Sequence, residues 1–130
     1  MKLQADRIDG TNAISRHGPE GVIVNGVEHT TSVVVPWKGQ VLAWPVSDFA
    51  ALSAEHFAMV AGLKPELVIF GSGRRIRFPS AALLRPLIDQ HIGIETMDTA
   101  AACRTYNVLL AEDRPVVVAL LFEAAAASPV

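Results

Sequence analysis

The sequence predicts an α/β domain built on a mixed β-sheet. Short β-branched runs separated by turns fill the first third of the chain, whereas strands and helices alternate in the second half. A hairpin-rich half followed by an alternating half favours a sheet with both antiparallel and parallel strands. Hydrophobic residues make up 51% of the chain and charged residues 18%, which is typical of a well-filled interior. The 130 residues suit a single domain, 1–130, for which we expect an ordered core over about 14–122 and a frayed tail over 124–130.

Three strands are predicted near the N-terminus, at residues 21–24, 31–35 and 40–44. They are rich in β-branched or apolar residues and are separated by turn-forming residues. Asn25 and Gly26 both tolerate positive φ, which the two central positions of a type I′ turn require. The pair therefore predicts a tight hairpin turn with antiparallel strands on either side.

Three further strands are predicted at residues 66–70, 93–97 and 115–122. The first is almost continuously apolar, as expected of a central strand covered on both faces, and we expect it to be the most buried strand. It leads directly into the glycine loop Gly71-Ser72-Gly73.

Helices are predicted between these strands from capping residues and helical spacing. They are expected to start after Ser53, after Ser80, and after Asp98 or Thr99, because these side chains accept hydrogen bonds from the first turn of a helix. The first helix is expected to run through Met59 and the third to about Leu110. The second carries an apolar face, which Pro86 is expected to kink or shift, formed by Leu83, Leu84, Leu87 and Ile88.

Composition argues against several classes of function. The net charge of −2 gives no overall basic field for nucleic-acid binding. The four histidines lie in four different elements without metal-ligand spacing, and the lone Cys103 is expected to be a buried, unreactive residue, so we predict neither a metal nor a cofactor. No stretch approaches the roughly 20 apolar residues of a membrane span, and no targeting segment is recognised, so we expect a cytoplasmic protein.

Three motifs resemble the signature of a known family. They are the glycine loop 71–73, the run Glu95-Thr96-Met97-Asp98-Thr99 and the run 102–109, Ala-Cys-Arg-Thr-Tyr-Asn-Val-Leu. Together they resemble the Mth-like domain-of-unknown-function family that includes a mitochondrial assembly factor for respiratory complex I and a cytosolic protein associated with adipocyte differentiation. The family usually has threonine where Ser72 stands.

The resemblance extends from about residue 14 to residue 121. It implies a three-layer α/β fold in which the central mixed sheet is flanked by helices and accompanied by an N-terminal β-hairpin layer. It supplies no agreed set of catalytic residues. The role of its assembly factors implies contacts with other proteins.

Polar residues at the ends of the predicted strands form the candidate site. The glycine loop precedes Arg74, Arg75 and Arg77, and a loop at the carboxyl end of a strand can direct amides and cations at an anion. The alternative is a structural turn with solvated arginines. Because neighbours in an extended chain point to opposite faces, we expect at most one of Arg74 and Arg75 to line a shared site with Arg77.

A second polar group belongs to the strand at 93–97 and the third helix. Glu95, Asp98, Arg104 and Tyr106 either converge with the glycine loop on one pocket or form a structural network, with Asp98 as a helix cap. We expect the glycine loop and Asp98 to meet in space, because both follow strands of one sheet.

Two functions compete on this basis. The first is a non-catalytic interaction or assembly protein that binds other proteins, as a monomer or small homo-oligomer. The alternative is an anion-binding protein or enzyme that uses a pocket near the glycine loop.

Overall fold

A computed structural model of the chain describes residues 10–123. The strands are β1 (Ile14–Gly18), β2 (Gly21–Val24), β3 (Val27–His29), β4 (Val33–Pro36), β5 (Leu42–Ala43), β6 (Leu67–Gly71), β7 (Gly93–Met97) and β8 (Val116–Leu120), and the helices are α1 (Ala54–Ala61), α2 (Ala81–Ile88) and α3 (Thr99–Ala111). A short 3₁₀ helix, Phe49–Ala51, precedes α1. The tail that we expected to fray, 124–130, lies outside the described residues.

The strands form two sheets, which confirms the predicted mixed α/β fold. A five-stranded sheet has the order β5-β4-β8-β6-β7, and β1, β2 and β3 form a small antiparallel sheet. In the large sheet β6 runs parallel to both β7 and β8, whereas β4 is antiparallel to β5 and β8. The large sheet is therefore mixed, as the sequence pattern indicates.

Each face of the large sheet carries its own hydrophobic core. One core joins alternate residues of β4 and β8 to α3 and the small sheet, with Cys103 and Tyr106 among its members. The other joins the opposite residues of the same strands to α1 and α2, around Phe57, Phe70 and Leu87. This alternation explains why the strands of the large sheet are apolar almost throughout. The three layers place α3 next to the small sheet.

Local signals predicted several elements correctly. Asn25 and Gly26 have φ values of 50° and 85°, as the type I′ turn requires, and β2 and β3 pair across them. Asp98, rather than Thr99, caps α3 by accepting a hydrogen bond from the amide of Ala101 at 2.9 Å. Ser53 occupies the N-cap position of α1, where its amide bonds to the His56 ring, and β7 has the predicted bounds.

The pairing of the N-terminal strands differs from expectation. The hairpin partner of β2 is the short strand β3, which the sequence analysis missed together with β1. The run predicted at 31–35 appears instead as β4, in the large sheet. Val27 and Glu28 are exposed, so β3 has none of the apolar pattern that identifies a strand in sequence.

Two expectations about burial were wrong. The most buried strand is β8, at the centre of the sheet and buried at all five residues, whereas β6 lies one position toward the edge with Leu67 half-buried. Ile88, expected on the apolar face of α2, is 45% exposed at the last residue of that helix. Pro86 lies inside α2, which still begins directly after Ser80.

Candidate functional site: a basic cleft at the carboxyl edge of the sheet

The ends of β6 and β7 meet directly, as we expected for the glycine loop and the start of α3. The amide of Ser72 donates to the carbonyl of Met97 at 2.9 Å. The amide of Gly73 donates to Thr99 Oγ1 at 2.9 Å, and the amide of Thr99 donates back to the carbonyl of Gly73 at 2.8 Å. The reciprocal bonds fix the glycine loop against the N-terminus of α3.

Ser72 organises the loop and is itself fully buried. Its Oγ donates to the carbonyl of Arg75 at 2.8 Å and accepts from the amide of Arg77 at 2.9 Å. These bonds fold the chain after β6 back on itself. Ser72 therefore positions Arg75 and Arg77 by bonding to their backbone, and its hydroxyl does not line the cleft.

The two glycines of the loop serve packing and backbone conformation. A Cβ on Gly71 would lie 2.8 Å from Leu120 Cδ2 and 3.2 Å from Thr99 Cα, so glycine allows the start of α3 to approach the sheet. Gly73 has a φ of +108°, in the region that favours glycine. The bend at Gly73 ends the extended chain just before the arginines.

Arg77 is committed to contacts within the protein. Its Nη2 donates to Glu123 Oε1 at 2.9 Å and to the carbonyl of Ser72 at 2.6 Å, and its guanidinium carbon lies 4.8 Å from the centre of the Phe49 ring. Glu123 also accepts from the amide of Phe49 at 2.8 Å. The hydrogen bond from Arg77, with help from Phe49, holds the pKa of Glu123 below its ordinary value despite some desolvation.

A cleft of about 830 Å³ opens beside this network. Four parts of the chain line it: the β1–β2 turn, the loop after β6, the start of α3 and the segment after β8. Arg74, Arg75 and Arg77 all line the cleft, so the expectation that at most one of Arg74 and Arg75 would do so was wrong. The extended-chain argument fails because the chain bends at residues 73–75 and is not extended there.

The charges in this cleft are unequal. Asp98 and Glu123 contribute two carboxylates and the loop contributes three guanidinium groups. Arg74 and Arg75 are exposed and form no ion pair within residues 10–123. Ala100, the second residue of α3, also lines the cleft, and its amide has no acceptor within the helix. The cleft therefore favours anionic groups.

A second cleft, of about 800 Å³, lies on the other side of Arg74 and Glu123. Its wall includes Trp44, Val46 and Phe122. Because Arg74 and Glu123 line both clefts, the two concave surfaces share one wall. The same loop carries two exposed apolar side chains, Ile76 at 49% and Phe78 at 70% exposure.

Comparison with known proteins identifies the family. A family model described as "Protein of unknown function (DUF498/DUF598)" matches residues 14–121. The chain belongs to this DUF498 family. Its match covers both sheets, all three helices and every residue of the cleft except Glu123.

Two curated relatives carry the same name, "NADH dehydrogenase [ubiquinone] 1 alpha subcomplex assembly factor 3". The protein from Danio rerio is 31% identical over 92% of this chain and 68% of its own length. The protein from Xenopus tropicalis is 28% identical over 83% of this chain, which spans 60% of that protein's length.

Solved structures show the same fold. A crystal structure of a Bordetella parapertussis protein has a TM-score of 0.83 and 38% identity, and the match covers 90% of this chain and all of the other. A solution structure from Bordetella pertussis, described as a Mth938-like domain, has a TM-score of 0.81 and 33% identity over 95% and 94% of the two chains.

The remaining predicted site residues lie away from this cleft. Glu95 is exposed on the edge strand β7, and Arg104 is exposed on α3. Tyr106 is fully buried, where its hydroxyl donates to the carbonyl of Asn12 at 2.7 Å or of Pro36 at 3.0 Å. The hypothesis of one shared polar pocket is therefore wrong for these three, and Tyr106 belongs to the structural network that was its alternative.

The cleft also contains residues that sequence analysis missed, namely His17, Gly18, Pro19, Ala100, Leu121 and Glu123. They come from segments far apart in the chain, and no motif marks them. Among the described residues, no group of three His, Cys, Asp or Glu side chains is arranged to hold a metal ion. No helix within 10–123 meets the length and hydropathy needed to cross a bilayer.

Proposed function

We propose that this protein is a non-catalytic, protein-binding domain with an assembly-factor-like role. The observation that carries the proposal is the similarity to proteins named as complex I assembly factors, over 83% and 92% of this chain. The similar region includes the loop and helix that form the cleft. We further predict a cytoplasmic protein that exists as a monomer or small homo-oligomer.

The side chains near the cleft support binding over covalent catalysis. The hydroxyl of Ser72 is buried and engaged in the loop. Burial raises the pKa of Cys103 to about 12, although Arg104 opposes this, so the thiol stays protonated at neutral pH. Neither residue is placed to act as an activated nucleophile in the cleft.

The experiment is affinity capture with the tagged full chain from the native cell, at several salt concentrations and after mild crosslinking. The expected result is the same partner protein at each salt concentration, recovered in reverse when that partner is tagged. An unfolded variant of the chain provides the control for nonspecific capture. Failure to recover a reproducible partner at any salt concentration would contradict the proposal.

The unequal charges of the cleft favour a second function, the binding of a small anionic ligand. A ligand at 100 times its dissociation constant stabilises a fold by about 2.7 kcal/mol, which thermal denaturation detects readily. The test is a thermal-shift screen with phosphate, nucleotides and organic acids at low ionic strength. A melting temperature unchanged by all of them would eliminate this alternative.

A further inference from the structure

We infer that the loop from Arg74 to Phe78, with the two clefts that share Arg74, binds an extended acidic segment of a partner polypeptide. Hereafter this surface is called the basic ridge. The inference rests on the proposed protein-binding function and adds to it the surface used and the chemistry of the partner.

The charge of the basic ridge comes from two arginines without an ion pair to the described residues, although Arg75 helps to lower the pKa of Glu123. Arg77 has Glu123 as its carboxylate partner, whereas Arg74 and Arg75 project from the same loop without an ion pair in the described part of the chain. A guanidinium group binds a carboxylate through two parallel hydrogen bonds. Two such groups on adjacent residues match a segment with acidic side chains.

The backbone of the basic ridge is ordered before any partner binds. Ser72 Oγ bonds to both Arg75 and Arg77, at 2.8 and 2.9 Å, and Arg77 ties the loop to Glu123. A loop that is already fixed loses little backbone entropy on binding, which favours affinity.

The shape favours a polypeptide over a small anion. Either cleft alone, at about 830 or 800 Å³, has the volume of a small-molecule site. Their common wall at Arg74 and Glu123 makes them adjacent parts of one longer surface. An extended segment can cross that wall and place side chains in both clefts, whereas one small anion would occupy a single cleft.

Two exposed apolar residues also favour a polypeptide partner. Ile76 and Phe78 flank Arg77 in the loop, outside the lining of the two clefts, and are 49% and 70% exposed. Aromatic residues and arginine are the residue types that contribute most binding energy at protein interfaces. A small anion would use the arginines but leave these apolar side chains in water. We therefore expect the partner segment to carry apolar residues between its acidic ones.

The positive charge is confined to the first cleft, where three guanidinium groups face two carboxylates, whereas the second cleft has one arginine and two carboxylates. Glu123 is paired with Arg77, and Asp98 accepts the amide of Ala101 at the start of α3. Glu20 lines the second cleft on the far side of the wall. The acidic groups of the partner are therefore expected on the Arg75 side, in the cleft that also contains the α3 N-terminus.

The test is fluorescence anisotropy with the full chain and a labelled eight-residue peptide of alternating glutamate and leucine. A peptide of alternating glutamine and leucine is the matched uncharged probe, and inorganic phosphate is the small-anion competitor. We expect the glutamate peptide to bind at least about tenfold more tightly than the glutamine peptide, with affinity falling as salt is raised.

The variants identify the surface. R74A/R75A should weaken binding of the glutamate peptide about tenfold, and Phe78→Ala should weaken it several-fold. Arg85→Ala is the control, because Arg85 is an exposed arginine on α2 paired with Asp89 and outside the basic ridge. Circular dichroism and urea denaturation verify that each variant is folded.

Three results would overturn the inference. They are equal affinity of wild type and R74A/R75A for the glutamate peptide, equal affinity of wild type for the two peptides, and complete displacement by phosphate at the concentration at which phosphate alone saturates the protein. Capture of the native partner distinguishes failure of this inference from failure of the proposed function. If R74A/R75A still captures the partner, only the assignment of the basic ridge as the binding surface is wrong. If the wild type captures no partner, the proposed function is wrong.

Discussion

Replacing Gly71 with alanine should destabilise the protein, because the last residue of β6 has no room for a side chain. The added Cβ would lie 2.8 Å from Leu120 Cδ2, 3.1 Å from Ala102 Cβ and 3.2 Å from Thr99 Cα. The first distance is shorter than real Cβ contacts, and the third involves backbone that cannot rotate away. All three neighbours are buried, so the start of α3 must move outward from the sheet.

Overpacking of this kind costs about 1–3 kcal/mol. Gly71 has no positive φ, so the cost comes from contact and not from backbone strain. For a domain of this size, each kcal/mol lowers the melting temperature by roughly 4 °C. We therefore expect Gly71→Ala to melt about 4–12 °C below the wild type.

Gly18→Ala provides the matched control. Gly18 also ends a strand and has no positive φ, but no atom lies within 4 Å of its added Cβ. Alanine there should be neutral or stabilising by up to about 1 kcal/mol, because glycine is unfavourable in strands. Urea denaturation of both variants is the assay. Equal midpoints for Gly71→Ala and wild type would refute the close-approach argument.

Three further perturbations test the core and its titrating groups. Tyr106→Phe should lower the free energy of unfolding by about 1–3 kcal/mol in urea denaturation, because it removes the buried hydroxyl donor to the carbonyls of Asn12 and Pro36; an unchanged midpoint would contradict this. Burial raises the pKa of Cys103 from 9.0 to about 12, so stability that is fully present below pH 9 should be lost as the pH rises from 9 to 12. Cys103→Ala should make this decline shallower when the free energy of unfolding is measured by urea denaturation at a series of pH values. Equal declines for the variant and the wild type would contradict the prediction. The hydrogen bond from Arg77 lowers the pKa of Glu123 below 4.5, so its stabilisation is present above pH 4.5 and lost as the pH falls through the lowered pKa. Because the pair is partly exposed, Glu123→Gln should reduce the loss of unfolding free energy at low pH by less than about 1 kcal/mol. If urea denaturation shows the same loss at low pH for the variant and the wild type, the pairing is contradicted.

Local chemistry made some elements predictable from sequence. Asn25-Gly26 and Asp98 act through their own backbone conformation or through hydrogen bonds to residues within one turn. Such interactions need no information about the rest of the chain. The same locality explains why β7 was found with its exact bounds between a glycine and a helix cap.

Strand order depends on distant contacts and was therefore less predictable. Residues 66–70 and 115–122 are both apolar on both faces, so nothing local indicates that β8, and not β6, lies at the centre. β3 is a strand because Val22, Ile23 and Val24 pair with it across the turn, although its own residues are mostly exposed.

The candidate site shows the same division. The meeting of the glycine loop with Asp98 followed from parallel strands ending at one edge, and the structure confirms it. Tyr106 and Arg104 are two residues apart on α3 and so point about 200° apart around the helix. Tyr106 lies in the core and Arg104 faces water. Once the buried face of α3 is known, helical geometry alone assigns the two side chains to opposite sides.

The central position of β8 has a consequence for synthesis of the chain on the ribosome. β8 pairs with β4 from the first half of the sequence and with β6 from the second, and it contributes to both cores. Until residues 116–120 emerge from the exit tunnel, β4 and β6 have no strand between them. Such long-range pairing makes folding slow and leaves apolar edges uncovered in the meantime. The nascent chain is therefore expected to be a substrate for ribosome-associated chaperones until β8 has emerged.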